Sequence, residues 1–438
     1  MIKNIFLEKI VLPIGDKFFN TSFSYSLNYW RKFKYFSELE LEKFQEIQLK
    51  NQLEFAIKNV SKYKGILYSS SETASQLLTK FPILTKDVLK ENIDELNIDS
   101  KEKITKIFSS GSTGVSTSVN MNKKDLMSIQ SLSFHIWELC GYKIGDAVIQ
   151  TGISPNRTLF KKLKDIFFGT IYISAFALKE RDLIFICKKL SKNKNITIIG
   201  YPSSINIIAN YALENNFKIK ISKVIGLGDA LFTHHKKNIE KAFQCKIMET
   251  YGSSEGFQIG FQVDLNYMYI FTPQVYLELL DDNGFPVKDG EIGNVVVTRL
   301  DNKHMPLIRY KLGDLAIKLP KEKYPSKRKY NFPLLEKVVG RNTDVVLLPN
   351  DSKMVVHSFT GIFEHIDGIK QFKIIQKDRN GIIIQYIPSK KFTEAILKTI
   401  IIKLQEYIQN KSFLIEFEKV NEIKSYKSGK PQIVESLL

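Results

Sequence analysis

The first part of the chain alternates between helical and strand-like hydrophobic patterns. Apolar residues recur every three or four positions over residues 35–64 and 125–140, which predicts two amphipathic helices. Shorter helical patterns cover residues 183–190, 205–214 and 236–243. Between the helices, apolar runs predict strands at residues 147–150, 169–173, 196–200, 223–228 and 246–249. This order predicts an α/β fold with a mostly parallel sheet, whose ligands gather at the carboxyl edge.

The last part of the chain has a different pattern. Two apolar segments, residues 369–376 and 381–386, flank Asp378-Arg379-Asn380-Gly381, and Asn-Gly is a strong signal for a hairpin turn. A helical pattern at residues 392–408 and a strand at 413–420 follow. We therefore expect a large domain over residues 1–344 and a small α+β domain over residues 345–438.

A run rich in serine and glycine follows the short apolar stretch 104–108. Small residues let a ligand approach the backbone, and glycine can aim successive amides at one point, which suits phosphate oxygens. An ordinary flexible loop is the alternative, and the run lacks the Gly-Lys-[Ser/Thr] ending of a Walker A loop. The residues concerned are Ser109, Ser110, Gly111, Ser112, Thr113 and Gly114.

Composition narrows the classes of partner. The 438 residues carry a formal net charge of +18, with 43% hydrophobic and 25% charged residues, which is typical of a globular protein with anionic neighbours. The lysines are scattered, and zinc-finger, zipper and RNA-binding signatures are missing, so we do not expect nucleic acid as a partner. Cys140, Cys187 and Cys245 lack metal-ligand spacing and read as reduced thiols of a cytoplasmic protein.

The first twelve residues are apolar, but Glu8 and Lys9 interrupt them, which argues against a signal peptide. No uninterrupted apolar run approaches the roughly 20 residues of a membrane-spanning helix. We expect a packed amphipathic segment here, with peripheral membrane association as the alternative.

Several motifs carry a resemblance to a known family. The stretch Glu249-Thr250-Tyr251-Gly252-Ser253-Ser254-Glu255 resembles the Tyr-Gly-x-[Ser/Thr]-Glu motif of the adenylate-forming ligase superfamily. The serine- and glycine-rich run resembles its phosphate loop. Three later segments of this chain resemble later motifs of the same superfamily: Met305-Pro306-Leu307-Ile308-Arg309-Tyr310-Lys311-Leu312-Gly313-Asp314, Val339-Gly340-Arg341-Asn342-Thr343-Asp344 and Ser428-Gly429-Lys430. Phe81-Pro82-Ile83-Leu84-Thr85-Lys86 and Gly200-Tyr201-Pro202-Ser203-Ser204 are similar to the phenylacetate–coenzyme A ligase branch and its capsule-polysaccharide relatives.

The resemblance implies a fold and a reaction. The fold would be a large, multi-layered N-terminal domain with mostly parallel sheets, and a small, mobile α+β C-terminal domain. The reaction would be ATP-dependent activation of a carboxylic acid as an acyl-adenylate, with release of pyrophosphate. The acyl group would then pass to a thiol, with coenzyme A as co-substrate, or to an amine, as in an amide ligase of surface-polysaccharide synthesis. A non-catalytic nucleotide-binding protein with the same fold is the alternative.

The resemblance also implies roles for individual residues. Glu255 would ligate Mg²⁺, and Lys430 would bridge the α-phosphate and the attacking carboxylate. Tyr251 would stack on adenine, Asp314 would accept the ribose hydroxyls, and Arg341 would approach ribose or phosphate. The remaining residues of the expected nucleotide site are Ser109, Ser110, Gly111, Ser112, Thr113, Gly114, Gly228, Asp229, Ala230, Glu249, Thr250, Gly252 and Ser253.

Some positions depart from the family pattern or leave alternatives open. Val115-Ser116-Thr117 follows the loop where many relatives have Pro-Lys, and Asp229 stands where relatives often have glutamate. We expect Phe134, His135 and Tyr201 near the substrate pocket, with a satisfied core histidine as the alternative for His135. The sequence predicts neither the acid nor the oligomeric state.

Overall fold

The structure is a computed structural model, and its secondary structure begins with helices. It describes residues 2–98, 102–108, 118–152, 165, 168–175, 178–341, 345–349, 353–355, 359, 362–363, 366, 368–408, 410, 412–423 and 433–437. The N-terminal helices are α1 (Ile2–Phe6), α2 (Leu12–Phe19), α3 (Phe23–Arg31), α4 (Glu38–Asn59), α5 (Ala74–Leu78), α6 (Lys86–Glu91) and α7 (Ile93–Leu96). A π-helical turn, Leu7–Val11, joins α1 to α2, and 3₁₀ turns lie at Lys32–Tyr35, Ser61–Tyr63 and Lys321–Lys323.

The helix predicted over residues 35–64 is α4, and it is shorter at both ends. At its start the Ser37 hydroxyl accepts the Glu40 amide while the Glu40 carboxylate accepts the Ser37 amide, which forms a capping box. At its end Val60 has extended dihedral angles. The second predicted helix is α8 (Lys123–Leu139), which closely matches the predicted 125–140.

An eleven-stranded mixed sheet forms the centre of the molecule. Its strand order is β10-β11-β12-β13-β9-β8-β7-β6-β5-β3-β4. The parallel half contains β3 (Val148–Gly152), β4 (Thr170–Ser174), β5 (Thr197–Gly200), β6 (Lys223–Gly226) and β7 (Ile247–Gly252). The antiparallel half contains β8 (Gln258–Phe261), β9 (Met268–Ile270), β10 (Val275–Leu280), β11 (Ile292–Arg299), β12 (Tyr310–Lys318) and β13 (Leu334–Arg341).

The parallel strands are buried on both faces, as their continuous apolar runs predict. In β6, Val224 belongs to a core cluster with the helices Glu180–Lys192, Pro202–Glu214 and Thr233–Phe243. Its neighbour Ile225 belongs to another cluster, which contains residues of α3 and α8. Successive side chains of a strand point to opposite faces, so helices cover both sides of this half of the sheet. The predicted succession of parallel strands and helices is confirmed.

The buried Arg309 links the connector between α5 and α6, residues 79–85, to the antiparallel half of the sheet. The Leu84 amide donates to the Arg309 carbonyl, and the Lys311 amide donates to the Leu84 carbonyl. The Arg309 guanidinium donates to both carboxylate oxygens of Glu278, at 3.2 and 3.0 Å, and to the Phe81 carbonyl at 3.1 Å. Arg309 also has a φ of 48°, unusual for a residue other than glycine. These contacts hold Arg309 in place and join the segment Phe81–Lys86 to the segment Met305–Asp314.

We expect Arg309→Lys to lower the free energy of unfolding by about 2 kcal/mol. Lysine keeps the charge but cannot reproduce the planar fork that bonds Glu278 and Phe81 together, so roughly two buried hydrogen bonds are lost. Urea unfolding followed by circular dichroism measures the change. Arg181→Lys is the matched control, because the Arg181 side chain is 79% exposed, and its effect should stay within about 0.5 kcal/mol. Equal midpoints for the two variants would contradict a structural role for the fork.

Two smaller sheets complete the described strands after residue 341. A hairpin pairs β14 (Val345–Leu347) with β15 (Lys353–Val355). A four-stranded sheet has the order β18-β17-β16-β19, with β16 (Ile369–Asp378), β17 (Gly381–Pro388), β18 (Leu414–Lys419) and β19 (Val434–Ser436). The helix Glu394–Ile408 packs on this sheet through a core that includes Ile400, Leu404, Ile374 and Ile384.

The predicted fold class is confirmed, because a large α/β part precedes a small α+β part, and the hairpin at Asn380-Gly381 lies where the sequence predicts it. Residues 342–344 lie outside the described residues, so the exact domain boundary stays a prediction. Within the described ranges, no helix has both the length and the apolar character needed to cross a membrane.

Candidate active site

Three adjacent parallel strands end side by side and define the edge where the site lies. Gly200 of β5 is in register with Gly226 of β6, which is in turn in register with Glu249 of β7. The predicted site segments begin at this row, since Tyr201 follows β5 and residues 228–230 follow β6. The fold thus brings together segments that are about 25 to 50 residues apart in sequence, as expected for carboxyl ends of parallel strands.

The turn after β6 fits closely against Tyr201. Gly228 has a φ of 81°, and a Cβ atom there would lie 2.7 Å from the Tyr201 ring, so only glycine suits this position. The carboxylate of the next residue, Asp229, accepts a 2.5 Å hydrogen bond from the Ser203 hydroxyl. Burial, together with the nearby Asp229 charge, raises the pKa of Tyr201 to about 12, so its phenol keeps its proton at neutral pH. Ser203 was not predicted as a site residue, although it lies in a family motif.

Glu249, at the end of the row, is partly buried and carries a carboxyl group with a shifted pKa. Burial, with a smaller contribution from the Asp229 charge, raises its pKa to about 7. Lys236 and the Leu231 amide act in the opposite direction. At neutral pH the protonated and ionised forms of this carboxyl group are therefore both populated. The neighbouring Thr250 hydroxyl donates to the Gly226 carbonyl at 3.1 Å and ties β7 to β6.

Two hydrogen bonds connect the end of β7 and the turn that follows it with β12. The Tyr251 hydroxyl donates to Asp314 Oδ2 at 2.8 Å. Glu255 is four residues after Tyr251, and its Oε1 accepts a 3.0 Å hydrogen bond from the hydroxyl of Tyr310, four residues before Asp314. Asp314 is also opposite Arg341 in the pairing of β12 with β13. The structure thus brings residues from three separate sequence motifs to one place.

Glu255 is 4% exposed and can serve as a metal ligand. One carboxylate oxygen accepts a hydrogen bond from the Tyr310 hydroxyl, and the Ser254 hydroxyl lies 3.4 Å from the other oxygen. Among the described residues no group of three or more potential ligands surrounds a common point. Mg²⁺ commonly uses one or two carboxylates together with waters and substrate phosphates, so a single glutamate with an anionic oxygen fits such a site. Tyr310 was missed at the sequence level, because only a contact reveals its role.

Backbone contacts with the Phe257 carbonyl fix the conformation of the turn between Tyr251 and Glu255. A Cβ atom at Gly252 would lie 2.5 Å from the Phe257 carbonyl oxygen, so a side chain is excluded there. The Ser253 amide donates to the same carbonyl at 2.9 Å. The Ser253 hydroxyl is buried without a hydrogen-bond partner in the part of the chain that the structure describes. A buried hydroxyl of this kind is available to a ligand.

The remaining predicted residues fall into two groups. Ser109, Ser110, Gly111, Ser112, Thr113, Gly114 and Lys430 lie outside the described residues, and the described part of Arg341 is its backbone. The described residues on either side of the serine- and glycine-rich run form β1 (Thr105–Phe108) and β2 (Ser118–Met121), which pair antiparallel with Phe108 opposite Ser118. Strands therefore lie on both sides of this run, and α8 follows them.

Phe134 and His135 lie on α8 and pack against aromatic residues of neighbouring segments. Phe134 makes edge-to-face contact with Phe23. His135 is 1% exposed, lies 3.3 Å from the Glu138 carboxylate and contacts the ring of Phe271. Burial lowers the pKa of His135 despite that carboxylate, which favours a neutral core histidine. The pocket role predicted for these two residues gains no support from their contacts.

Comparison with known proteins agrees with the motifs. The family model of the CapK C-terminal domain matches residues 347–436. Protein CapK of Staphylococcus aureus is 26% identical over 97% of this chain and 96% of its own length. Phenylacetate–coenzyme A ligase of Escherichia coli is 23% identical over 70% of this chain and 73% of its own. Indoleacetate–lysine synthetase of Pseudomonas savastanoi is 35% identical over a shorter segment, 29% of this chain and 31% of that protein.

The fold is shared with solved ligase structures. The crystal structure of 2-hydroxyisobutyryl-CoA ligase in its postadenylation state superimposes with a TM-score of 0.72 at 18% identity. The match covers 93% of this chain and 91% of that one. The predicted relationship is therefore confirmed: in sequence and in fold this chain is similar to the adenylate-forming ligases, in the branch of phenylacetate–coenzyme A ligase and CapK.

Proposed function

We propose that this chain is an ATP-dependent ligase that activates a carboxylic acid as an acyl-adenylate and then transfers the acyl group. The observation that carries the proposal is the pair of hydrogen bonds from Tyr251 to Asp314 and from Tyr310 to Glu255. They connect an aromatic ring and two carboxylates near the carboxyl end of β7, which is the last strand of the parallel half. An aromatic face, an acceptor for hydroxyls and a hard anionic ligand are the three groups that a magnesium nucleotide requires.

Nucleotide recognition follows from these side chains. The Tyr251 ring offers a face for adenine, while its hydroxyl orients Asp314 through a 2.8 Å hydrogen bond. A carboxylate has about four lone-pair sites, so Asp314 can keep this bond and still accept ribose hydroxyls. Glu255 would hold Mg²⁺, which supplies positive charge to the phosphates. Arg341, whose backbone pairs with Asp314, would reach ribose or phosphate.

Adenylation is a displacement at the α-phosphate. A carboxylate oxygen of the substrate forms a bond to phosphorus, and the bond from phosphorus to the pyrophosphate oxygen breaks. The residues therefore act by positioning and by neutralising charge. The hydroxyls and amides of residues 109–114 would hold the β- and γ-phosphates, and Lys430 would bridge the α-phosphate and the attacking oxygen. In this proposal the small domain after residue 344 carries Lys430 to the nucleotide and turns away for the second step.

The acid would bind beside the nucleotide, where Tyr201 and Asp229 follow neighbouring strands. Its acyl group then passes to a thiol or an amine. Both acceptors occur among the relatives by name, since a coenzyme A ligase forms a thioester and a lysine synthetase forms an amide. The bond between Ser203 and Asp229 would fix a negative charge at this end of the pocket. Such a charge suits an acid that also carries a polar or cationic group.

Exchange of labelled pyrophosphate into ATP tests the proposal. We expect exchange that depends on both Mg²⁺ and one class of carboxylic acid, because only a reversible adenylate returns pyrophosphate to ATP. AMP release in the presence of coenzyme A or of amines then identifies the acceptor. A chain that binds ATP but exchanges pyrophosphate with no acid of a broad panel would be a nucleotide-binding protein, and the proposal would fail.

A further inference from the structure

The N-terminal helical segment, residues 2–19, is attached to the rest of the molecule by one face. Leu7 is 3% exposed and belongs to a core cluster with residues of α3 and α8. The side-chain amide of Asn4 donates to Asp146 at 3.0 Å. Gly145 lies directly beneath Leu7, since a Cβ atom there would come within 2.8 Å of the leucine methyl group. The segment is therefore anchored, and its opposite face has a fixed orientation.

Both acidic residues of the segment are engaged on the attached side. Glu8 forms a 2.6 Å ion pair with Arg31. Asp16 accepts hydrogen bonds from the Thr21 hydroxyl and from the amides of Phe23 and Ser24, at 2.6, 2.9 and 2.7 Å. Arg31 thus balances the charge of Glu8, and the Asp16 carboxylate is occupied by neutral donors at the start of α3.

The exposed side is apolar and basic. Residues 6, 10, 14 and 18 are four positions apart, so they follow one side of the helical segment. The apolar residues exposed by about half or more are Ile5 (56%), Phe6 (50%), Ile10 (46%), Ile14 (63%), Phe18 (81%) and Phe19 (49%). The charged residues that the segment exposes are Lys3, Lys9 and Lys17. A run of large apolar side chains flanked only by lysines is unusual on a surface that faces water alone.

We propose that this face binds the surface of an anionic phospholipid bilayer. An amphipathic helix with phenylalanines on one side and lysines beside them lies in the interface, with its apolar face among the lipid chains. The lysines are attracted to anionic headgroups, and the formal net charge of +18 adds a long-range attraction. The same charge opposes contact between two copies of this chain. The segment thereby holds the large domain at a membrane without crossing it.

Co-sedimentation with vesicles tests the inference. We expect the full chain to bind vesicles of equal parts phosphatidylglycerol and phosphatidylcholine, and to bind pure phosphatidylcholine at least about tenfold more weakly. Phe6→Ser combined with Phe18→Ser should lower the partition coefficient by about tenfold or more, because two exposed rings no longer enter the bilayer. Lys9→Glu combined with Lys17→Glu should abolish the preference for the anionic lipid.

A matched control distinguishes loss of this particular face from loss of exposed apolar side chains anywhere on the surface. Leu67 and Phe285 are 86% and 67% exposed and lie outside the segment, so Leu67→Ser combined with Phe285→Ser should leave binding unchanged. The inference fails if the intact chain does not bind anionic vesicles, or if the two serine variants lose binding equally. It also fails if ultracentrifugation shows a dimer that the Phe6 and Phe18 changes dissociate while lipid binding is absent, because a second copy would then cover the face.

Discussion

Replacing Asp314 with alanine should weaken ATP binding by roughly two to four orders of magnitude. In the proposed complex its carboxylate accepts two ribose hydroxyls, and each hydrogen bond to a charged group contributes roughly 1.5–3 kcal/mol. The loss adds to the broken bond from Tyr251, whose hydroxyl now donates to Asp314. Calorimetric titration with ATP in the presence of Mg²⁺ measures the dissociation constant.

The nucleotide itself supplies the sharpest control for this prediction. 2′-Deoxy-ATP lacks one hydroxyl, so the unaltered chain should bind it roughly ten- to a hundredfold more weakly than ATP. The Asp314→Ala variant should bind the two nucleotides equally, because the 2′-hydroxyl, the group by which they differ, no longer has an acceptor in the protein. Tyr251→Phe keeps the ring and should preserve the discrimination. If Asp314→Ala still discriminated between the nucleotides as the unaltered chain does, another residue would recognise the ribose.

Replacing Glu255 with glutamine should slow adenylation by about 10²-fold or more. The side chain keeps its size and its acceptor for the Tyr310 hydroxyl but loses the negative charge that would hold Mg²⁺. Loss of one strong electrostatic contact in a transition state typically costs a factor of this size. The rate of pyrophosphate exchange, measured across a series of Mg²⁺ concentrations, reports the effect.

Two variants show whether the charge or the local packing matters. Tyr310→Phe removes the hydrogen bond to Glu255 but leaves its charge, and we expect less than a tenfold loss of exchange. Glu291→Gln makes the same chemical change at an exposed position and should have no effect. Acyl transfer from a supplied acyl-adenylate should survive in Glu255→Gln, since that step releases no pyrophosphate. An equal loss in both half-reactions would make Glu255 a structural residue.

The parallel half of the sheet could be predicted because its signals are local. Runs such as Ile198-Ile199 and Val224-Ile225 are apolar on both faces, and helical spacing between them is regular. The antiparallel half mixes polar and apolar positions, and its strands are defined by pairing with distant partners. The hydrophobic pattern therefore did not predict that half, and only segments 305–314 and 339–344 within it were noted, as family motifs.

The site shows the same division. Residues with their own sequence motif, such as Tyr251, Glu255 and Asp314, could be named in advance. Tyr310 and Ser203 could not, because their roles consist of a hydrogen bond to a residue elsewhere in the chain. Arg309 was recognised as part of a motif, yet its ion pair with Glu278 became visible only in the folded chain. Motifs identify chemistry, whereas contacts identify what supports it.

Contacts of α4 and of the connector between α5 and α6 restrict the order in which this protein can fold during synthesis. The Phe81 carbonyl bonds the Arg309 guanidinium, 228 positions later in the chain, and Gln52 bonds the Asn302 carbonyl, 250 positions later. At about 5–20 residues per second, the ribosome needs roughly 10–50 s to produce these partners. Until then the apolar side chains of the early helices lack their native cover. The nascent chain would therefore be a client for a chaperone that shields its first hundred residues.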